Sequence, residues 1–219
     1  MSTLTFVEKK CYVCGAIGRY GEGGLLHFSP PEGLDGHPGN LTPLFTAIHI
    51  CPYCFYASPD LSEGTPEIAS IVQNDNYRSI AGNSNVHELI RKYIAWALIQ
   101  NRQGNNCEAA RTMLFATWLA EQYEKPAITS QCRRKAIQLM TACQANGGGF
   151  EMTRGKETLA VVDLHRREGL FSEALSFCQM ALNNLPLSEE DEFLLRYEEV
   201  LIKQGNSSYV TISEAERNF

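Results

Sequence analysis

From Asn85 to the end of the chain, apolar residues recur at helical spacing. Val86, Leu89, Ile90, Tyr93, Ile94 and Ala97 follow the i, i+3, i+4, i+7 template of a helix with one buried face. The same period predicts helices at roughly 86–103, 106–123, 127–145, 152–168, 172–184 and 189–204. Gly104, Pro126, Gly147-Gly148-Gly149, Gly169 and Pro186 punctuate them. Asn85 with Glu88 resembles a capping box, and Ser188 is followed by Glu189, Glu190 and Asp191 at the positive end of a helix. Upstream the pattern changes. Residues 1–60 are short apolar stretches broken by turn residues, and residues 21–43 contain six Gly and four Pro, which predicts an extended, turn-rich loop. Residues 61–84 read as a connector, with a short helix at 66–73 started by Thr65-Pro66-Glu67 and a polar loop from Asn74 to Ser84. The tail at 207–219 carries only a weak alternation at Tyr209-Val210-Thr211-Ile212, and no element is assigned to it.

Composition narrows what such a chain can be. With 44% hydrophobic and 20% charged residues it can bury a core and is not compositionally disordered. The net charge is -6, and 1–60, 61–125 and 126–219 are each net acidic, which speaks against binding nucleic acid through its backbone. Neither a signal-peptide pattern nor a run of about 18 apolar residues is present, so the expected home is a reducing cytoplasm with no membrane span. There, closely spaced members of the eight cysteines read as metal ligands or redox dithiols rather than disulfides.

Two such pairs exist: Cys11-Tyr-Val-Cys14-Gly15 and Cys51-Pro-Tyr-Cys54. Thiolates three residues apart bind one metal from a tight turn, and four of them complete the closed tetrahedral shell of a structural Zn²⁺ site. The expected ligands are therefore Cys11, Cys14, Cys51 and Cys54, holding one structural Zn²⁺. The 36 residues between the pairs exceed the usual spacing, an excess that the Gly/Pro-rich loop absorbs because closure entropy grows slowly with length. Apolar residues ahead of each pair (Leu4, Phe6, Val7; Leu44, Phe45, Ile48, Ile50) predict short strands and a zinc-ribbon-like module. The competing reading, a pair of redox dithiols, lacks the βαβ context such motifs sit in. His49, two residues before Cys51, reads as a strand residue, with ligation as the alternative. No role is assigned to His27 or His37. Cys107, Cys132, Cys143 and Cys178 read as small buried hydrophobes without partners.

In the helical half, Gly104, Ala109, Met113 and Ala116 share their spacing with Gly169, Ala174, Cys178 and Ala181; the second copy adds Phe171 and Pro186. This resembles the second half of a tetratricopeptide repeat, in which small residues let paired helices approach; the alternative is an ordinary bundle with chance small residues. Either gives a groove for a peptide or partner helix, or for a second copy of the chain. Arg133-Arg134-Lys135 and Arg166-Arg167 read as contacts for an acidic partner or as a solvated helix face. The expected fold is α+β and mostly α: a zinc-ribbon-like module at 1–60, the connector at 61–84 and a tetratricopeptide-like helical domain at 85–219.

The chain resembles a bacterial family, domain of unknown function 2225. The resemblance rests on Cys11-x-x-Cys14-Gly15, on Pro43-Leu44-Phe45 ahead of Cys51-Pro52-Tyr53-Cys54-Phe55-Tyr56-Ala57, on Ala116-Thr117-Trp118-Leu119, and on Gly169 to Ala181. It implies zinc binding and helical repeats, and no established activity. Family members usually have Gly after the second pair, where this chain has Phe55. There is no Gly-x-Gly-x-x-Gly, P-loop, His-Glu-x-x-His or Gly-x-Ser-x-Gly motif, and Gly147-Gly148-Gly149 follows a helix rather than a strand, unlike a phosphate loop. The expected function is that of a zinc-stabilised adaptor or scaffold. A ribbon that binds nucleic acid and an enzyme with scattered catalytic groups are the alternatives.

Overall fold

The computed structural model describes residues 4–23, 28–123, 126–150 and 153–219. His27 lies outside the described residues. The fold is mostly α with two small β-hairpins: β1 (Leu4–Lys10), β2 (Ile17–Gly23), α1 (Leu44–Ala47), β3 (His49–Ile50), β4 (Ala57–Ser58), α2 (Pro66–Gln73), α3 (Asp75–Ala81), α4 (Glu88–Arg102), α5 (Asn106–Tyr123), α6 (Pro126–Ala145), α7 (Arg154–Arg167), α8 (Phe171–Asn184), α9 (Glu189–Lys203) and α10 (Ile212–Asn218). The chain forms two compact units that interleave in sequence. One holds the described residues of Met1–Phe28 and Asn40–Cys132, the other Ser29–Gly39 and Arg133–Phe219.

In the first unit the two hairpins are antiparallel, β1 with β2 and β3 with β4. Specific bonds tie helix α4 to α1 and the second hairpin's loop to the segment ahead of α2. The Tyr93 hydroxyl of α4 donates to the Leu44 carbonyl and the Lys92 ammonium to the Phe45 carbonyl, both at 2.8 Å. The Tyr56 hydroxyl donates to the Glu63 carbonyl at 2.7 Å. Helix α2 begins as expected, with the Thr65 hydroxyl accepting from the Ile68 N–H and Pro66 in the first turn. The stretch expected to be a loop after it is helical at α3. The Asn74 side chain caps it by accepting from the Asn76 N–H, and Tyr77 and Ala81 are buried. A two-turn helix with only two buried positions is too short for a periodicity to show. Helix α4 starts later than the Asn85 box would have it, capped by His87, whose Nδ1 accepts from the Leu89 N–H.

In the second unit, α7, α8 and α9 pack around Leu159, Val162, Ala174, Cys178, Ala181, Leu194, Leu195, Leu201 and Ile202. The turn between α7 and α8 shows why Gly169 is there. Its φ is +76°, its N–H bonds the Arg166 carbonyl, and the Leu170 N–H bonds the His165 carbonyl. This double bond pattern closes a helix end through a left-handed residue, which only glycine adopts without strain. Gly104 makes the same closure between α4 and α5. The tail is also helical: Thr211 and Glu214 form a reciprocal capping box at the start of α10.

The Pro-rich segment 29–39 belongs to this unit. Leu34 is 1% exposed and joins its core, a burial that contributes about 2 kcal/mol. The Ile212 N–H donates to the Glu32 carbonyl at 2.7 Å. Arg166 and Arg167, expected on a solvated or partner-facing surface, are buried instead. Arg166 bonds Glu198 at 2.6 Å, Asp163 at 2.5 Å and the Asn206 and Ser208 carbonyls at 2.8 Å. Arg167 reaches Asp35 and Asp163, each at 3.2 Å, and stacks over Tyr209. Two adjacent arginines look like a surface because charged residues are rarely buried; Asp163 is one turn away, but Glu198 and Asp35 lie too far along the chain to be recognised beforehand. The other basic cluster is partly tied down as well, with Arg133 and Arg134 both paired to Glu168.

Candidate metal centre

Both cysteine pairs sit in the tips of the two hairpins, and the tips are built alike. Lys10 pairs with Ile17 and Ile50 with Ala57, so each loop has the same length, at 11–16 and 51–56. In the first, the Gly15 N–H donates to the Cys11 carbonyl and the Cys11 N–H to the Ala16 carbonyl, both at 2.8 Å. In the second, Phe55 donates to the Cys51 carbonyl at 2.9 Å and Cys51 to the Tyr56 carbonyl at 2.8 Å. The residue after each second cysteine is left-handed: Gly15 at φ +73° and Phe55 at φ +65°. So Phe55 holds the same left-handed turn position that Gly15 holds in the first loop. A left-handed L residue costs roughly 1–2 kcal/mol, and its surroundings hold it. The Tyr77 hydroxyl donates to the Phe55 carbonyl at 2.8 Å, and the ring of Phe55 lies against Gly82, where an added Cβ would come within 2.9 Å of it.

The two tips bring all four sulfurs together. Cys11 Sγ is 3.6 Å from Cys54 Sγ, Cys14 Sγ is 3.6 Å from Cys51 Sγ, and all four lie within 4.8 Å of one another. A tetrahedron of sulfurs about 2.3 Å from a central ion has edges of about 3.8 Å, so the residues present fit a metal ion. Such a group takes four soft donors from two rigid turns and leaves no coordination position for a substrate. The predicted ligands are thus the residues that converge. His49 is not in the cluster; its ring packs against Tyr20 at 5.4 Å.

The backbone already prepares the sulfurs for charge. Val13 and Cys14 N–H groups donate to Cys11 Sγ, Ala16 to Cys14 Sγ and Tyr56 to Cys54 Sγ. Burial still pushes the Cys11 and Cys54 thiols up, since a buried thiolate with no countercharge is costly. At Cys14, which is exposed, burial also pushes up but the Ala16 N–H and the neighbouring thiols outweigh it, and the thiol falls below its ordinary value. Beside the sulfurs lie half-buried Tyr20 and buried His49. Tyr20 is pushed up to about 12 by burial and then by Cys51. His49 is lowered by burial and by Lys92 and Lys9.

Two residues here escaped sequence reasoning. Tyr77 lay in a stretch read as loop. Lys92 did carry a signal: it shares a helix face with Leu89, Trp96 and Ile99, and a lysine there is buried at 5% exposure. Of the other cysteines, Cys132 and Cys178 are buried thiols as expected, and Cys178 Sγ donates to the Leu195 carbonyl at 3.1 Å. Cys107 and Cys143 depart from expectation, since both are disulfide-bonded.

Among the described residues, no helix is long and apolar enough to cross a membrane. Compared with known proteins, the chain matches no family model, no curated protein and no solved structure.

Proposed function

We propose that this is a zinc-stabilised adaptor or scaffold protein, in which Cys11, Cys14, Cys51 and Cys54 hold one structural Zn²⁺ and the helical region 85–204 receives a protein partner, a peptide or a second copy of the chain. The observation that carries it is the closed four-sulfur cluster, a geometry suited to holding a fold together rather than to activating a substrate. The helix pairs support the second half of the reading. Ala109 and Ala116 on α5, and Ala174, Cys178 and Ala181 on α8, are fully buried at matching distances after a left-handed glycine. We read them as tetratricopeptide-like hairpins and the chain as a divergent relative of the family it resembles. Zinc-bound thiolates call for a reducing compartment, so cytoplasm is the location under this reading. The disulfide state of Cys107 and Cys143 weighs the other way.

Elemental analysis of the purified protein beside the four single Cys→Ser variants tests the metal. One zinc per chain, lost in the variants, is expected; zinc that survives all four substitutions rejects the ligand set. Crosslinking and pull-down from native lysate test the partner. Contacts on the helical region support the adaptor. Contacts only on the cysteine module that compete with RNA or DNA replace it with a nucleic-acid-binding ribbon.

A further inference from the structure

Beside the cysteine cluster, within the same unit, is a cleft of about 710 Å³. That is the size of a small-molecule site, which runs from about 300 to 1,000 Å³. One wall is aromatic and aliphatic, with Tyr20, Phe45, Phe55 and Ile48, and the other is the first turn of α4 with Arg91 and Lys92. The one acid lining the cleft is Glu88, which faces two buried or half-buried cations from an exposed position. Lys92 is 5% exposed, and its ammonium spends one N–H on the Phe45 carbonyl. Glu88, the acid that acts on it, is exposed to solvent. Arg91 Nε is buried with no hydrogen-bond partner among the described residues. A buried ammonium with open N–H groups is costly to keep, and an acceptor group with a negative charge relieves that cost at Lys92, with half-buried Arg91 as a second cation in the same wall.

We infer that this cleft binds a small amphipathic anion, a carboxylate or phosphate monoester carried on an aromatic or acyl body, with the anionic group on Lys92 and Arg91 and the apolar body against Tyr20, Phe45 and Phe55. Burial pulls Lys92 down to about 8, as expected of an ammonium left without its counterion. The cleft does not use the metal, because four sulfurs leave it no free position. The binding site therefore stands whether or not the helical region has a partner.

Calorimetric titration of the full-length, metal-loaded protein tests this, with phenyl phosphate, benzoate, inorganic phosphate and benzyl alcohol as probes. Saturable one-to-one binding of phenyl phosphate or benzoate is expected, with whichever binds tighter identifying the anionic group. Inorganic phosphate should be weaker, and benzyl alcohol should not bind. Charge-assisted hydrogen bonds of this kind imply that Lys92→Met weakens the anion at least about 10-fold. Arg91→Gln, a milder change that keeps the protein testable if Lys92→Met does not fold, should weaken it about 3-fold or more. The proposal is overturned if neither organic anion binds at about 10 mM, if benzyl alcohol binds as well as they do, or if Arg91→Gln leaves the affinity unchanged. A change in the visible spectrum of the cobalt-substituted protein on adding anion would also overturn it, since the anion would then sit on the metal.

Discussion

Two regions of this molecule gather groups that water would otherwise solvate, and they balance them by opposite means. Around Arg166 the charges come from the chain itself. Asp163, Glu198 and Asp35 surround Arg166 and Arg167, so the network is held by residues of one unit. Around Cys51 four sulfurs converge in a geometry that fits a metal ion. The first region takes its countercharges from its own side chains; the second, under the proposed reading, would take its countercharge from a bound ion. A buried ion network is therefore a local matter of fit, whereas a buried donor cluster makes folding depend on the medium.

The sharpest way to break the comparison is to take each region's charge balance away. Chelation, or Cys51→Ser, should cost the hairpin tips most of their stability, several kilocalories per mole. The near-ultraviolet signal of the tyrosines beside the cluster should go first, while far-ultraviolet circular dichroism keeps most of the helix. Loss of nearly all helix on chelation would show that the helices depend on the metal too.

Arg166→Met should cost about 3–5 kcal/mol in denaturant melts, because Glu198 would be left buried without its cation and Asp163 with Arg167 alone. It should leave metal content unchanged. The same network predicts a pH effect. Burial and the adjacent Asp163 hold Glu198 well above the ordinary carboxyl range. A carboxyl raised in the folded state favours folding while protonated, and that contribution is lost as pH rises above the unfolded value. Glu198→Gln should thus be more stable relative to the wild type at pH 8 than at pH 4. An equal difference at both would mean that Glu198 does not change charge with folding.

Smaller effects belong to the supports. Tyr77→Phe removes the bond to the Phe55 carbonyl and should cost about 1 kcal/mol, together with weaker retention of metal against a chelator. Unchanged retention would mean that Phe55 holds its left-handed turn unaided. Smallest is Asp60, which accepts from the Ser62 N–H at 2.9 Å and meets Lys9 at 3.1 Å, and whose pKa is lowered to about 2, by the Ser62 bonds first. Its carboxylate is 40% exposed, so solvent screens the pair and Asp60→Asn should cost only about 0.5 kcal/mol. A depressed carboxyl contributes above its unfolded value, so this loss should fade as pH falls from about 4 towards 2. Melts of the two proteins across that range check it.

How much could be read beforehand depended on the range of the interaction. The four converging cysteines were legible because a Cys-x-x-Cys turn is complete within a few residues. So were the closures at Gly104 and Gly169 and the cap at Thr65, where the partners of each backbone group lie within one turn. Helix α3 was not, being too short to repeat a pattern. Nor was the burial of Arg167, since its partner Asp35 is 132 residues away.

By itself, then, the sequence determined the mostly helical fold class, the positions where helices close, and which four sulfurs stand in matched turns. These are consequences of backbone geometry over a handful of residues. Only the tertiary structure decided that Phe55 does the work of a glycine, that segment 29–39 is core to the second unit, and that Arg166, Arg167 and Lys92 are buried. Those outcomes turn on whether a distant group arrives to satisfy a charge or a hydrogen bond, and the same side chains without that group would lie in water.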